Sequence, residues 1–470
     1  MTRQLGEWRR RGPRKASSDL AEAVRMLVLD GRLAAGTGLP AERELARALN
    51  ASRTMIAAAL EQLRQAGFVA SRRGSGSWIT LPGKGMSTPV ELEARSRMLD
   101  LAHAALPAPR ELVAAVDAAR AQLPAYLSDH GYHQRGLAVL RQRVARHYER
   151  RGLPTAQDQI VITSGAQHAF ALVLMLLAGP GDRVVVEQPT YPNTLNAIRA
   201  ARALPVPVAM TDEGWDLDAL DAALRQSAPR LAFLQPDFQN PTGLRMDAGD
   251  RRRLVTVLRK NRVPAVIDET TVELDLEGDP LDGPPPTASY GDDAVISIGS
   301  ASKAYWGGLR LGWIRSPLEL VHRLVSARSA IDLGTPVFEQ PVLAELLADP
   351  EPLLRRRRLE VVERRDALAA AIGEHCPGWT FRNPAGGLCL WCRLDAPVST
   401  RIAVVAEHFG VRVAPGSSFA VYGGLERWLR LPYTQPVEAL RDAAQRLSSA
   451  LSAIGDAEHS SIVDDIIPVA

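Results

Sequence analysis

The sequence predicts a two-domain α/β protein, in which a small, mostly helical domain precedes a large domain built on a mostly parallel sheet. Its 470 residues exceed the roughly 100 to 200 of a typical single domain. Beyond residue 99, short runs rich in Val and Ile alternate with helical patterns, as a parallel sheet covered on both faces requires. Residues 1–80 hold 14 Lys and Arg against 7 Asp and Glu, although the whole chain has a net charge of only +3. We therefore expect domains at 1–80 and 99–455, a linker at 81–98 and an acidic tail at 456–470.

Composition and cysteine content limit the class of protein. With 46% hydrophobic and 23% charged residues, the chain is typical of soluble globular proteins. Its longest apolar run, residues 169–178, is too short to cross a bilayer, and no apolar segment follows the basic amino terminus as a secretory signal requires. We expect a cytoplasmic protein with no membrane partner. Cys376, Cys389 and Cys392 include one Cys-x-x-Cys spacing without a second pair, which favours reduced, buried thiols over a metal site.

Apolar residues recur at helical spacing in three amino-terminal segments, which predicts three helices. The first spans residues 18–30. The second starts at Leu39 with a proline and acidic residues in its first turn, and the third runs over 53–65 with Ser52 as its amino cap. The residues expected to face inward are Leu20, Val24, Leu27 and Val28 in the first helix, Leu45, Ala48 and Leu49 in the second, and Ile56, Leu60 and Leu63 in the third.

Two short strands at 67–70 and 77–79, joined by a basic glycine turn, predict a wing after the third helix. Together with the basic charge, this pattern favours DNA binding through phosphate contacts, with a helical protein-interaction module as the alternative. The segment resembles the winged helix-turn-helix domain of the GntR superfamily in Asp30-Gly31-Arg32-Leu33, Leu39-Pro40-Ala41-Glu42-Arg43-Glu44-Leu45-Ala46, Ser52-Arg53-Thr54 and Gly74-Ser75-Gly76-Ser77. That resemblance implies a double-stranded DNA operator contacted by Arg43, Ser52, Arg53, Thr54, Arg72, Arg73 and Gly76.

In the large domain, five predicted strands each end in polar or glycine-bearing residues. The strands are 160–162, 184–186, 231–234, 265–267 and 295–298. Because ligands of open α/β sheets bind at the carboxyl ends of the strands, the residues that follow them are the candidates for one site. In chain order these candidates are Gly165, Ala166, Gln167, Tyr191, Asn240, Asp268, Ser300, Ser302, Lys303 and Arg310.

The chemistry of these candidates favours pyridoxal 5'-phosphate as the cofactor. A buried Lys303 amine with a lowered pKa can form an imine with an aldehyde, and the guanidinium fork of Arg310 suits a phosphate dianion. Asp268 can keep a pyridine nitrogen protonated, Asn240 can bond a phenolic oxygen and Tyr191 can stack on the ring. The small residues Gly165 and Ala166 come just before the next predicted helix. They let a phosphate approach the free backbone amides at the start of that helix. The alternative is a Ser/Gly loop with a solvated lysine.

Residues 99–450 resemble the fold type I, or aspartate aminotransferase, family. The resemblance implies that Lys303 carries the internal aldimine, that Tyr132 reaches the phosphate of the neighbouring subunit of a homodimer, and that Arg430 clamps a carboxylate. The family usually has a tyrosine two or three residues after the aspartate, where this chain has Thr270 and Thr271.

The order of the two domains resembles the MocR subfamily of transcriptional regulators. This resemblance implies a DNA-binding homodimer that senses pyridoxal 5'-phosphate or a small amino compound through the Lys303 aldimine, with weak turnover or none. The alternatives are a working aminotransferase with a vestigial DNA-binding domain and, less favoured, a cofactor reservoir without regulation.

Overall fold

The computed structural model describes residues 16–29, 33, 36–72, 76–80, 98–128, 130–279 and 281–464. The amino-terminal domain contains α1 (Ala16–Leu29), β1 (Gly38–Leu39), α2 (Glu42–Ala48), α3 (Arg53–Gln65), β2 (Val69–Arg72) and β3 (Gly76–Ile79). Its strands form an antiparallel sheet in the order β1-β3-β2, and the helices bury their apolar faces in a core of their own. The winged helix-turn-helix prediction is confirmed.

Two details of α2 differ from the prediction. Leu39 lies in β1, where it pairs with Ser77, and the helix begins only at Glu42, because the residue before a proline avoids helical conformation. Ala48 is exposed, and Ala46 packs against the domain core instead. The predicted buried face of α2 was therefore wrong by part of a turn, because a helix of seven residues contains too few repeats to define its buried face.

The large domain is centred on an eight-stranded sheet in the order β5-β12-β11-β10-β9-β6-β7-β8. Its strands are β5 (Ile160–Thr163), β6 (Arg183–Gln188), β7 (Leu204–Thr211), β8 (Gly214–Trp215), β9 (Leu231–Leu234), β10 (Ala265–Asp268), β11 (Val295–Ser300) and β12 (Gly312–Arg315). Only β12 and β8 run against the others. All five predicted strands are therefore parallel, and their carboxyl ends meet at one edge.

Helices cover both faces of this sheet and bury it in two apolar clusters. The helices of the large domain are α4 (Leu112–Gln122), α5 (Ala138–Arg150), α6 (Ala166–Leu177), α7 (Pro192–Ala200), α8 (Leu217–Ser227), α9 (Ala248–Asn261), α10 (Leu318–Arg328), α11 (Glu339–Leu346), α12 (Glu351–His375), α13 (Ser399–His408) and α14 (Val437–Asp464). Of these, α14 packs on α12 and α13, and all three pack against a second, smaller sheet. The apolar run at 169–178 forms most of α6, which begins two residues earlier than His168, the start expected from the sequence.

A second sheet, of four strands in the order β13-β15-β14-β4, was not anticipated. Its strands are β4 (Leu99–Leu101), β13 (Cys389–Arg393), β14 (Val411–Pro415) and β15 (Trp428–Pro432). The last helix, α14, continues to Asp464 and so extends into the segment expected to be a tail. The expected linker, apart from Met98, and Gly31 and Arg73 lie outside the described residues. Among the helices of the described ranges, none combines the length and apolarity that crossing a bilayer demands.

Candidate functional site

A cavity of about 400 Å³ opens at the edge where the parallel strands end. Because this edge gathers the strand termini, it brings together residues far apart in the sequence. The predicted site residues that line it are Gly165, Ala166, Gln167, Tyr191, Asn240, Asp268, Ser300, Ser302, Lys303 and Arg310. A second chamber of about 440 Å³ shares Tyr191, Asn240 and Lys303 with the first and is closed by the smaller sheet, which contributes Arg430.

Lys303 lies in a π-helical turn, Ser302–Trp306, directly after β11. Its Nζ donates a hydrogen bond to the carbonyl oxygen of Ala104 at 2.8 Å. Burial lowers the pKa of this amine, and the nearby Arg430 cation lowers it further, whereas Asp268 acts in the opposite direction. Because only the unprotonated amine is nucleophilic, this surrounding favours reaction with a carbonyl group.

Asp268 is the last residue of β10 and is almost completely buried. Burial raises the pKa of its carboxyl group to about 6, although hydrogen bonds from Thr270 and the positive charge of Lys303 lower it. The backbone N–H of Thr270 donates to Oδ1 at 2.9 Å. A carboxylate that is ionised at neutral pH in so buried a place has a strong tendency to pair with a protonated ring nitrogen.

Residues at the start of α6 and the end of β11 form an anion-binding cradle. Gly165, with φ of +95°, precedes the helix, and a Cβ there would lie 3.1 Å from Nη2 of Arg310. The same Nη2 donates to the carbonyl oxygen of Ser164 at 3.0 Å, which holds the guanidinium beside the first free amides of α6. The hydroxyl groups of Ser300 and Ser302 lie 3.0 Å apart at the same place. These donors fit a phosphate group.

The two threonines after Asp268 have other partners. The hydroxyl of Thr271 donates to the carbonyl oxygen of Asp237 at 2.7 Å and accepts a hydrogen bond from Nε2 of Gln235 at 3.0 Å. The Thr270 hydroxyl bonds to the Asp268 carboxylate. Both hydroxyl groups are therefore engaged, and Asn240 is left to bond the phenolic oxygen of a pyridine ring.

Arg430 lies on β15 with its guanidinium over the ring of Phe419, 4.9 Å from the centroid. Its Nη1 donates to Oδ1 of Asn240 at 3.3 Å, and its Nη2 donates to the carbonyl oxygen of Ala102. Its Nε is buried and has no hydrogen-bond partner in the described part of the chain. An arginine with only neutral partners and one unused donor is suited to a carboxylate ligand.

The two candidate tyrosines lie in different places. Tyr191 precedes α7, lines both chambers, and accepts a hydrogen bond from Nδ2 of Asn193 at 2.8 Å. Tyr132 is 61% exposed and lines a separate surface pocket together with His130 and His133. It does not line the cavity of its own chain, so its predicted role depends on a neighbouring subunit.

In the amino-terminal domain, the side chain of Ser52 caps α3, because its Oγ accepts the N–H of Met55 at 3.2 Å. Arg53 is exposed at the start of that helix, 3.7 Å from a carboxylate oxygen of Glu42. Arg43, Thr54, Arg72 and Gly76 are also exposed. These positions leave the first turn of α3 and one strand of the wing accessible to a duplex.

Several residues of the site were not singled out from the sequence. Gln235 links the threonine turn to Asn240, whose N–H donates to its Oε1 at 3.1 Å. Cys389, predicted only as a buried thiol, lies on β13 with its Sγ 4.0 Å from Oδ1 of Asn240. Arg412 and Glu407 line the second chamber. Gln235 directly follows β9, so the strand-end rule could have found it, whereas Cys389, Glu407 and Arg412 reach the site only through the fold of the smaller sheet and α13, which no local motif marks.

Buried charges lie behind the threonine turn. Nη2 of Arg251 lies 2.6 Å from Oδ1 of Asp237, and Nη1 of Arg151 lies 3.2 Å from Oε2 of Glu269. Both arginines are buried. Because Glu269 follows Asp268 directly, these pairs fix the backbone that presents the site carboxylate.

Comparison with known proteins agrees with the two-domain arrangement. Residues 96–447 match the family described as aminotransferase class I and II, and residues 16–79 match the gntR family of bacterial regulatory proteins. A 2-aminoadipate transaminase of Thermus thermophilus is 33% identical over 305 residues, which cover 63% of this chain and 76% of the enzyme. The probable rhizopine catabolism regulatory protein MocR of Rhizobium meliloti is 26% identical over 471 residues and 93% of each chain.

Solved structures of aminotransferases also resemble the chain. The α-aminoadipate aminotransferase LysN of Thermus thermophilus, crystallised with N-(5'-phosphopyridoxyl)-L-leucine, has 30% sequence identity and a TM-score of 0.69. The similarity covers 78% of this chain and 95% of the enzyme.

Proposed function

Because the chain belongs to the aminotransferase class I and II family and carries a gntR-type DNA-binding domain, we propose that it is a MocR-type transcriptional regulator that responds to pyridoxal 5'-phosphate or to an amino compound. The observation that supports this most directly is the presence, in one chain, of a cavity lined by Lys303, Asp268 and Asn240 and of a gntR-type domain whose third helix begins at an exposed turn. A DNA-binding protein has no need of such a cavity, and an aminotransferase has no need of a DNA-binding domain, so a regulator that uses both explains why they occur together.

When bound, pyridoxal 5'-phosphate supplies an aldehyde that condenses reversibly with primary amines. The chain's own residues provide for that chemistry. Lys303 offers an amine with a lowered pKa, Asp268 a carboxylate for the ring nitrogen, and Asn240 a donor for the phenolic oxygen. Arg310 and the start of α6 hold the phosphate, and Arg430 holds a carboxylate of the incoming amino compound.

We further propose a homodimer in which Tyr132 of each subunit approaches the phosphate cradle of the other. The exposure of Tyr132, together with its position outside the lining of its own chain's cavity, supports this arrangement. A dimer carries two reading domains, so its operator has two half-sites.

A working aminotransferase is the second candidate, supported by the retention of Lys303, Asp268, Asn240 and Arg430 around one cavity. Against efficient turnover stand the threonines, whose hydroxyl groups bond to Asp237 and Asp268 rather than being free to face the cofactor. The two candidates differ in rate, because an enzyme is expected to turn over at about 10 per second.

The test is binding of the full-length protein to the DNA upstream of its own and adjacent genes, measured by fluorescence anisotropy with and without pyridoxal 5'-phosphate. We expect the cofactor to change the DNA affinity of the wild-type protein and to change that of the Lys303→Ala variant much less. Arg53→Ala serves as a control that loses DNA affinity without losing cofactor binding. Unchanged DNA affinity together with steady turnover of amino acid and 2-oxo acid would favour the enzyme.

A further inference from the structure

A second arginine, Arg412, lies in the same chamber as Arg430. Ala414 on β14 is directly opposite Arg430 on β15, so both residues point to the same face of the smaller sheet. Arg412 is two residues before Ala414 on the same strand and therefore shares that face. Arg412 and Arg430 are therefore diagonal neighbours on adjacent strands, and the Cα atoms of such neighbours lie roughly 7–8 Å apart. Both side chains line the chamber that Lys303 enters.

Among the residues that the structure describes, only one nitrogen of the Arg412 guanidinium has a hydrogen-bond partner. Its Nε donates to Oε1 of Glu407 at 3.2 Å, and its side chain is 28% exposed. Its two terminal nitrogens have no hydrogen-bond partner among the residues that the structure describes. A planar guanidinium with two adjacent free donors matches the two oxygens of a carboxylate.

The charges of the chamber favour an acidic ligand. Arg430 has only neutral hydrogen-bond partners, the Asn240 side chain and the Ala102 carbonyl group. Glu407 is the acidic partner of Arg412, and Asp100, on the adjacent strand β4, is paired with His103, whose Nδ1 lies 2.7 Å from its Oδ2. Arg412 and Arg430 thus both line the chamber, and Glu407 is the one acidic residue among the described residues that line it with them.

We propose that the effector is an amino acid with a second carboxylate on its side chain. Its amino group is directed to the place where Lys303 would hold the cofactor aldehyde, its α-carboxylate to Arg430 and its distal carboxylate to the free nitrogens of Arg412. This inference rests on the proposed regulatory function and names the chemical class of ligand that the site selects.

The same contacts connect the ligand to the DNA-reading domain. Ala403, Val404 and Glu407 of α13 line the chamber, and α13 is contacted by α1 of the amino-terminal domain. A distal carboxylate on the terminal nitrogens of Arg412 shares the guanidinium charge with Glu407, which bonds to Nε, and so weakens the attraction between Arg412 and Glu407. A weaker attraction on Glu407 changes the contacts of α13, the helix that α1 of the amino-terminal domain contacts, and this gives the ligand a means of acting on DNA binding.

The experiment compares acids with their amide isosteres by isothermal titration calorimetry of the cofactor-loaded, full-length protein. The probes are L-glutamate against L-glutamine, L-aspartate against L-asparagine, and L-2-aminoadipate. Glutarate, which has both carboxylates but no amine, tests the two arginines without any reaction at the cofactor. We expect at least one acid to bind tenfold or more tightly than its amide, and glutarate to compete with it.

Variants separate the role of Arg412 from a general effect of charge. Arg412→Gln should lower the affinity for the acid to that for the amide, with glutamine binding changed less than threefold, and Arg412→Lys should recover part of the loss. Arg393→Gln, at an exposed position on the same sheet, is the matched control and should bind as the wild type does. Glu407→Gln should bind the acid several-fold more tightly, because the negative charge beside Arg412 that repels the ligand carboxylate is removed.

Equal affinity for every acid and its amide, or an Arg412→Gln variant that retains the preference for the acid, overturns the inference. Failure of the inference is distinguishable from failure of the regulatory function. If neutral amino acids change DNA affinity while acids do not, the regulator stands and the ligand class is wrong. If neither the cofactor nor any amino acid changes DNA affinity, the regulatory function itself fails.

Discussion

Gly312 is the position where one added methyl group tests the architecture of the phosphate cradle most directly. It lies on β12 and pairs with strands on both sides, β5 and β11. A Cβ at this position would lie 2.6 Å from the carbonyl carbon of Gly165, 2.7 Å from the oxygen of Gly299 and 2.8 Å from the nitrogen of Ala166. Carbon atoms pack best at about 3.5–4.0 Å, so the backbone of the cradle must shift by about 1 Å.

We expect Gly312→Ala to lower the free energy of unfolding by about 1–3 kcal/mol, the usual effect of overpacking a buried site. Because the shifted atoms include an amide at the start of α6, the affinity for pyridoxal 5'-phosphate should fall by about tenfold, or about 1.4 kcal/mol. Urea unfolding followed by tryptophan fluorescence measures the first quantity, and a spectrophotometric cofactor titration measures the second.

Gly373→Ala is the control for the general effect of replacing glycine. Gly373 lies within α12, and a Cβ there would meet nothing within 4 Å. This variant should be more stable than the wild type by about 0.5–1 kcal/mol, because alanine favours a helix interior, and its cofactor affinity should be unchanged. A Gly312→Ala protein with wild-type urea resistance and wild-type cofactor affinity would refute the packing described for the cradle.

Three further predictions concern a titration, a helix cap and a buried ion pair. Because the pKa of Asp268 is raised to about 6, its carboxylate is lost as the pH falls through 6, and cofactor affinity should fall with it; titrations from pH 7.5 to 5 should show this loss in the wild type, whereas Asp268→Asn should lack this part of the pH dependence. Ser52→Ala should destabilise α3 by about 1 kcal/mol and accelerate hydrogen exchange of its amides about fivefold, whereas Thr54→Ala should change stability by less than about 0.5 kcal/mol; equal exchange in the two variants would contradict the cap. Arg251→Met leaves the buried Asp237 with the more distant Arg151 and Arg245 as cationic neighbours, and should lower the free energy of unfolding by about 3–5 kcal/mol; replacing Asp237 by leucine in the same protein should recover part of the loss in urea unfolding.

The cofactor end of the site was predictable because it depends on local sequence and one topological rule. Each parallel strand is a short apolar run, and the residues after it necessarily reach the same edge of the sheet. Lys303, Asp268 and Asn240 were placed in this way, and the structure brings them to one cavity. The third helix was equally clear, because Ser52 and thirteen residues of regular periodicity define both its start and its buried face.

The second chamber could not be predicted in the same way. Its wall is the face of a sheet whose strands come from distant parts of the chain, with β4 at residue 99 and β15 at residue 428. Which residues are opposite Arg430 depends on strand register, and register is set by tertiary packing as much as by local pattern. Arg412 and Glu407 therefore carried no signal in the sequence, and Leu39 was assigned to a helix because its pairing partner, Ser77, lies in the wing.

The second chamber is lined by residues from near the start of the large domain, at Ala102, to near its end, at Arg430. A ligand held by all of them binds only a chain that has been synthesised and folded almost to its last helix. At a concentration 100 times its dissociation constant, such a ligand opposes unfolding by about 2.7 kcal/mol. A shortage of the vitamin-derived cofactor would then expose the protein to proteolysis, so that its abundance in the cell, as well as its occupancy, follows the nutrient supply.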